Sequence, residues 1–138
     1  MICDGEGRPL VFLLTPGNIH DATAFDALFL LLLAYLAPTW RKRLKRLVGD
    51  KGYDAERIVE AIRQAGLTPV IPKRRSPMGE DRSDSDFDRE SYRQRNHVER
   101  CLGHLKEYRW VATRYDKLAA TYGGMVRLAM IRQLIRAA

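Results

Sequence analysis

The sequence predicts an α/β fold, and three observations predict it. Short strand-like segments bounded by turn residues recur at 10–14, 44–49 and 67–71. Segments with helical apolar spacing alternate with them, and a polar stretch rich in Pro, Ser and mixed charge at 72–87 sets off two further helices. The resulting order is strand, strand, helix, strand, helix, strand, long loop, helix, helix. That order suits an α/β sheet flanked by helices. Neither repeats nor an internal domain boundary is visible, so residues 1–138 read as a single domain.

Residues 1–14 read as a β-hairpin, with Asp4-Gly5 and Gly7 supplying the turn and Thr15-Pro16-Gly17 ending the second strand. Asp21 can cap a helix running to about residue 37, where Pro38 stops it. Within that helix, ALFLLLLAYLA at 27–37 is apolar throughout. It is too short to span a bilayer and reads as a buried or interface helix; any part left exposed promotes aggregation. Residues 44–49 form a short buried strand that ends at Asp50. Asp54 can cap the next helix, in which Ile58, Ala61, Ile62 and Ala65 follow the i, i+3, i+4, i+7 pattern and Gly66 occupies the C-cap glycine position. Residues 67–71 form another strand. A helix over about 91–108 and a final helix over about 117–136 complete the chain.

Composition narrows the function classes. At 138 residues and 46% hydrophobic content, the chain can bury a core and is not disordered. Its 24 Lys and Arg against 17 Asp and Glu give a net charge of +7, which suits a polyanionic partner as well as an ordinary basic surface. Two cysteines, Cys3 and Cys101, exclude a disulfide framework and a structural zinc site and fit a reducing compartment such as the cytoplasm. The first residues lack the basic-then-apolar order of a signal peptide.

Chemistry concentrates in YRQRNHVERCLGHLK at 92–106, where Tyr92, Arg95, Glu99 and Lys106 are spaced Y-x2-R-x3-E-x6-K. On one continuous helix, Arg95, Lys106 and Tyr92 fall within about 40° of Glu99. Val98, Leu102 and Leu105 form a separate apolar stripe. A carboxylate flanked by phosphate-binding groups is what metal-dependent phosphoryl transfer on DNA needs. An Arg/Glu pair four residues apart also suits a plain solvated helix. The second acidic candidate is Asp50, at the C-terminal end of a strand, the sheet edge where ligand and catalytic groups gather in open α/β sheets. Carboxylates are the hard oxygen ligands that Mg²⁺ prefers, and two cations roughly 3.5–4 Å apart can serve both the attacking and the leaving oxygen.

GDKGYD at 49–54, VIPKRR at 70–75, the 92–117 segment YRQRNHVERCLGHLKEYRWVATRYDK and FLLTPGNIHD at 12–21 resemble insertion-sequence transposases of the DDE class, in the bacterial group with the Y-R-E-K motif. The resemblance runs from about residue 2 to 136. It implies an RNase H-like mixed sheet flanked by helices, here lacking the first strand, and DNA strand cleavage and transfer at element ends. It assigns Asp50 and Glu99 as the second and third acids of the D-D-E set. Both would be catalytic and would hold Mg²⁺ or Mn²⁺ in a two-metal site. Tyr92, Arg95 and Lys106 match the remaining motif positions, with roles in holding DNA phosphates and fixing the Glu99 helix. Lys73, Arg74 and Arg75 follow a strand near the implied site and join the DNA-contact set.

The family's first catalytic Asp lies on a strand upstream of the opening hairpin. Asp4 matches the hairpin turn instead, so the chain reads as the C-terminal part of a catalytic domain. The implied partners are double-stranded DNA at transposon ends and either another copy or a companion transposase half. The competing reading is a catalytically inactive, DNA-binding or inhibitory fragment.

Other residues carry two readings each. Arg41, Lys42, Arg43, Lys45 and Arg46 form either a phosphate track or a solvated connection. His97, Cys101 and His104 share a helix face with zinc-like spacing, but lack a fourth ligand and read as packing. His20-Asp21 suggests an acid/base pair or a helix cap. Trp40 and Trp110 suggest base stacking or packing. Arg114 and Lys117 suit a DNA contact or a solvated turn.

Overall fold

A computed structural model describes residues 1–36, 38–73, 87–114 and 116–137. The elements are β1 (Ile2–Cys3), β2 (Pro9–Val11), α1 (Phe25–Tyr35), α2 (Pro38–Arg41), β3 (Arg46–Val48), α3 (Glu56–Gln64), β4 (Thr68–Val70), α4 (Arg89–Arg93), α5 (Asn96–Lys106), α6 (Arg109–Thr113) and α7 (Ala119–Ala137), with 3-10 turns at Asp21–Thr23 and Lys51–Tyr53. The fold is therefore mixed α/β with small sheets: β1 pairs β2 antiparallel and β3 pairs β4 parallel. The chain divides into two compact units, one of Met1–Pro16 with Asn96–Ala138, the other of Gly17–Arg95.

In the first unit, Asp4 builds the hairpin turn. Its Oδ1 accepts from the amides of Glu6 (3.0 Å) and Arg8 (2.9 Å), and its Oδ2 from Arg8 Nε (2.6 Å). Burial pulls the Asp4 carboxyl upward, but these bonds outweigh it and hold the group below the usual carboxylate range. Cys101, Leu105, Val126, Ala129 and Met130 form the core that joins α5 to α7, and Phe12, Tyr108, Val111 and Tyr122 pack against it. Tyr122 donates its hydroxyl to the Val111 carbonyl (3.0 Å). After α6, Arg114 adopts the left-handed region (φ 47°) and lays its guanidinium over the Tyr122 ring at 5.4 Å. The two thiols are shielded. Cys101 is 1% exposed and burial raises its pKa. Burial, then the nearby Cys101 and Asp4, push Cys3 up to about 11.

In the second unit, α1 buries Phe25, Leu28, Phe29 and Leu32, an i, i+3, i+4, i+7 face. The rest of its apolar run is not buried: Leu30 is 66% and Tyr35 78% exposed, so of the expected buried or interface helix one face is buried and the other is open. Pro38 does not merely stop α1. It opens α2, because a proline's missing N–H is harmless at a first helical position. Arg41 then donates to the Leu33 and Leu36 carbonyls, closing the end of α1. The N-cap position of α3 is Ala55, without a side-chain cap; Asp54 instead ends the Lys51–Tyr53 turn.

The exit of α3 is the best-determined turn. Gly66 has φ +76°, its N–H bonds the Arg63 carbonyl (2.8 Å), and the Leu67 N–H bonds the Ile62 carbonyl (3.1 Å). These are the paired bonds of a Schellman motif, and Ile62 and Leu67 are both buried beside it. An L side chain here meets the left-handed penalty. Gly66→Ala is expected to destabilise the protein by about 1–2 kcal/mol, read as a lowered urea midpoint; an unchanged midpoint would contradict this account.

The expected helix over 91–108 is two helices. Asp88 caps α4 by accepting from the Ser91 amide (2.9 Å). The Gln94 and Arg95 amides then close back on Ser91 and Tyr92 with three-residue bonds, ending the helix before α5 begins. The polar stretch 74–86, including Arg74 and Arg75, lies outside the described residues, as do the side chains of Asp21 and Trp40. Among the described residues no helix is long and apolar enough to cross a membrane.

Candidate active site

Asp50 stands two residues beyond β3, at the C-terminal end of a parallel pair in which Val48 lies opposite Val70 and the Gly49 amide bonds the Val70 carbonyl (3.1 Å). Its own Oδ1 accepts from the Gly52 amide at 2.7 Å, capping the Lys51–Tyr53 turn. The side chain is exposed, and its Oδ2 makes no hydrogen bond or ion pair among the described residues. One oxygen is fixed by the backbone while the other faces outward. That is the arrangement by which a strand end presents a carboxylate at a set angle.

Gly52 makes this possible. A Cβ there would lie 2.8 Å from Asp50 Oδ1, closer than carbon and oxygen can approach. Gly52→Ala is therefore expected to push the carboxylate off the amide and cost about 1 kcal/mol, the usual worth of such a cap. The check is the urea midpoint, together with loss of protection of the Gly52-position amide from hydrogen exchange. Retention of both would show that the carboxylate does not depend on this bond.

Glu99 lies in the first turn of α5 and Lys106 in its last; both are exposed and unpaired among the described residues. Cys101 and Leu105, each 1% exposed, lock the opposite side of α5 into the core of the first unit. Seven residues apart, Glu99 and Lys106 share one face to within about 20°.

Tyr92 lies on α4, half-buried, with its ring 5.3 Å from that of Phe87. Arg95 sits in the turn after α4 and places its guanidinium 5.0 Å over the Tyr92 ring. The expected stripe thus falls into two pairs: Tyr92 with Arg95 in the second unit, Glu99 with Lys106 in the first. A helical wheel drawn through all four does not apply, because the helix is broken between them. Lys73 is exposed just past β4.

Sequence reasoning missed what two cations of the basic run do. Arg41 closes α1, and Arg46 bonds Asp88 (2.8 Å) and Ser91 (2.6 Å). Both are structural, leaving less of that run for a phosphate track. The signal was present for Arg41 alone, since a cation just past a helix C-terminus is a usual carbonyl partner. Asp88 and Ser91 together hold Arg46 across 42 and 45 positions, which no local pattern encodes.

The donor chemistry at Asp50 and Glu99, exposed carboxylate oxygen, is the type that Mg²⁺ and Mn²⁺ accept. Among the described residues no group of three or more His, Cys, Asp or Glu is arranged to hold a metal. This includes the His97, Cys101 and His104 face, where Cys101 is core and His104 Nδ1 lies 3.0 Å from Glu107.

Comparison with known proteins adds three findings. The family described as Transposase DDE domain matches residues 1–134. The chain is 30% identical over 135 residues to a Burkholderia cepacia protein named "Putative transposase for insertion sequence element IS402", covering 93% of this chain and 57% of that relative. The chain thus spans a little over half the length of the curated relative it matches. No solved structure matches it.

Proposed function

The chain belongs to the DDE-domain transposases of insertion sequences, and on that premise we propose that it forms part of an RNase H-like catalytic domain that cuts and joins DNA at element ends. The observation that carries this reading is Asp50: an outward carboxylate anchored by the Gly52 amide at the end of a parallel strand, in a GDKGYD motif of the family. Glu99, exposed on a helix whose other side is locked in a core, is the second carboxylate.

Asp50 and Glu99 would hold Mg²⁺ or Mn²⁺. Bound cations there would neutralise the scissile phosphate and lower the pKa of water or of a DNA 3′-hydroxyl. Each carboxylate also orients the attacking oxygen in line with the leaving one. Lys106, on the Glu99 face, and Lys73 hold flanking phosphates as point charges. Arg95, stiffened by stacking on Tyr92, offers a planar fork to a phosphate. Arg74 and Arg75 are assigned the same duty from the motif alone. The remaining acid of the D-D-E set is proposed to come from outside these 138 residues, either from a longer chain or from a companion. The DNA partner is duplex at transposon ends, met in the cytoplasm at the nucleoid.

The direct test is strand nicking of a duplex carrying the element's terminal repeat. The assay uses this chain with whatever supplies the remaining acid, a longer form or a companion, and with Mg²⁺, Mn²⁺ or chelator. Nicking that needs the divalent cation is the expected result. Duplex binding without nicking under any metal would overturn the enzymatic reading in favour of an inactive DNA-binding fragment.

A further inference from the structure

The first unit contains a cavity of about 480 Å³ between the β1–β2 turn, α5 and the last turns of α7. That size lies in the range of small-ligand pockets. Arg100 and His104 line it from α5, about 100–140° around the helix from Glu99. The cavity therefore lies on a different side of α5 from the face carrying Glu99 and Lys106.

Its charges are unevenly matched. Glu6 lies 3.0 Å from the Arg8 guanidinium, and Glu107 lies 3.0 Å from His104 Nδ1, whose ring offsets the carboxylate's charge only when protonated; the wall's three arginines, Arg8, Arg100 and Arg136, outnumber its two acids. Arg100 and Arg136 also line it, and neither has an ion-pair partner among the described residues. Gln133 completes the wall. Its Nε2 reaches the Gly7 carbonyl (3.4 Å) and Cys101 Sγ (3.9 Å), while its Oε1 is buried with no hydrogen-bond partner.

We infer that this cavity is a phosphate-binding site, with the Arg100 and Arg136 guanidiniums as the anion's donors. Arginine forks match phosphate oxygens two at a time, which a pair of uncompensated guanidiniums at one cavity favours. The phosphate comes from a nucleic-acid backbone or from free phosphate. With the backbone as source, the site deepens the transposase reading by adding a DNA contact away from the cleavage face.

The test uses the full chain with Arg100→Gln/Arg136→Gln together, Arg100→Lys/Arg136→Lys together, and Lys106→Gln separately. Duplex affinity is measured by fluorescence anisotropy across a salt series, and the thermal midpoint is measured with and without inorganic phosphate. If the backbone is the source, the double Gln variant binds duplex more weakly and its log–log salt slope falls by about 1–2, since each lost phosphate contact removes about 0.9. The double Lys variant keeps the charges and recovers the slope. If free phosphate is the source, duplex binding is unchanged, but stabilisation by phosphate disappears in the double Gln variant. Unchanged duplex binding together with an unchanged phosphate response overturns the site. Weakened duplex binding by Lys106→Gln in that same outcome would leave the transposase reading standing.

Discussion

On the proposed function, Glu99→Gln is expected to abolish divalent-cation-dependent nicking by this chain assayed with whatever supplies the remaining acid, while leaving its fold intact. The substitution keeps the shape of the side chain and removes one charge from an exposed position, so stability should change by no more than about 0.5 kcal/mol. A carboxylate that positions divalent cations is asked for several kcal/mol of transition-state stabilisation, which corresponds to a loss of about a thousandfold or more. Asp50→Asn should behave alike, although its amide can still accept from Gly52. The measurement is the single-turnover nicking rate with saturating Mn²⁺, beside a melting curve of each variant. Nicking within tenfold of the parent in the Glu99 variant would remove Glu99 from the reaction.

A large stability effect is expected at Leu105. It is 1% exposed in the core that joins α5 to α7, among Cys101, Val126, Ala129 and Met130. Leu105→Ala removes packed methyl groups that the surrounding helices refill only in part, for a cost of about 2–5 kcal/mol. That is a large fraction of a small domain's stability. The same residue holds the side of α5 away from Glu99, so the variant should lose cleavage through fold rather than chemistry. Denaturant unfolding gives the size of the loss. A cost below about 1 kcal/mol would mean that α5 is not anchored where its burial places it.

Legibility from sequence followed the range of the forces. The hairpin, α3 and its glycine exit were readable because each rests on contacts a few residues apart. Asp4 has its bonds to Glu6 and Arg8, and Gly66 its bonds among residues 62–67. The strand-end position of Asp50 was readable for the same reason. The break at Gln94–Arg95 was not: RQRN holds neither Pro nor Gly, and each of its residues is acceptable in a helix. An apolar run such as 27–37 has no polar face, so periodicity could not say which of its leucines would be buried. The pairing of β3 with β4 alone, and the engagement of Arg46 by Asp88 and Ser91, depend on tertiary placement. The family resemblance supplied the reaction class, which geometry on its own does not name.

The shielding of the two thiols has a practical side. Alkylating reagents attack the thiolate, and a group with a pKa about 11 is ionised in only about one molecule in ten thousand at neutral pH. Cys101, at 1% exposure, is more shielded from reagent still. The expected result is that native protein reacts with maleimides slowly, at Cys3 before Cys101. A cysteine introduced at one exposed helix position of each unit can carry a fluorophore or spin label without first removing the natural ones, and the distance between the two labels becomes measurable in solution.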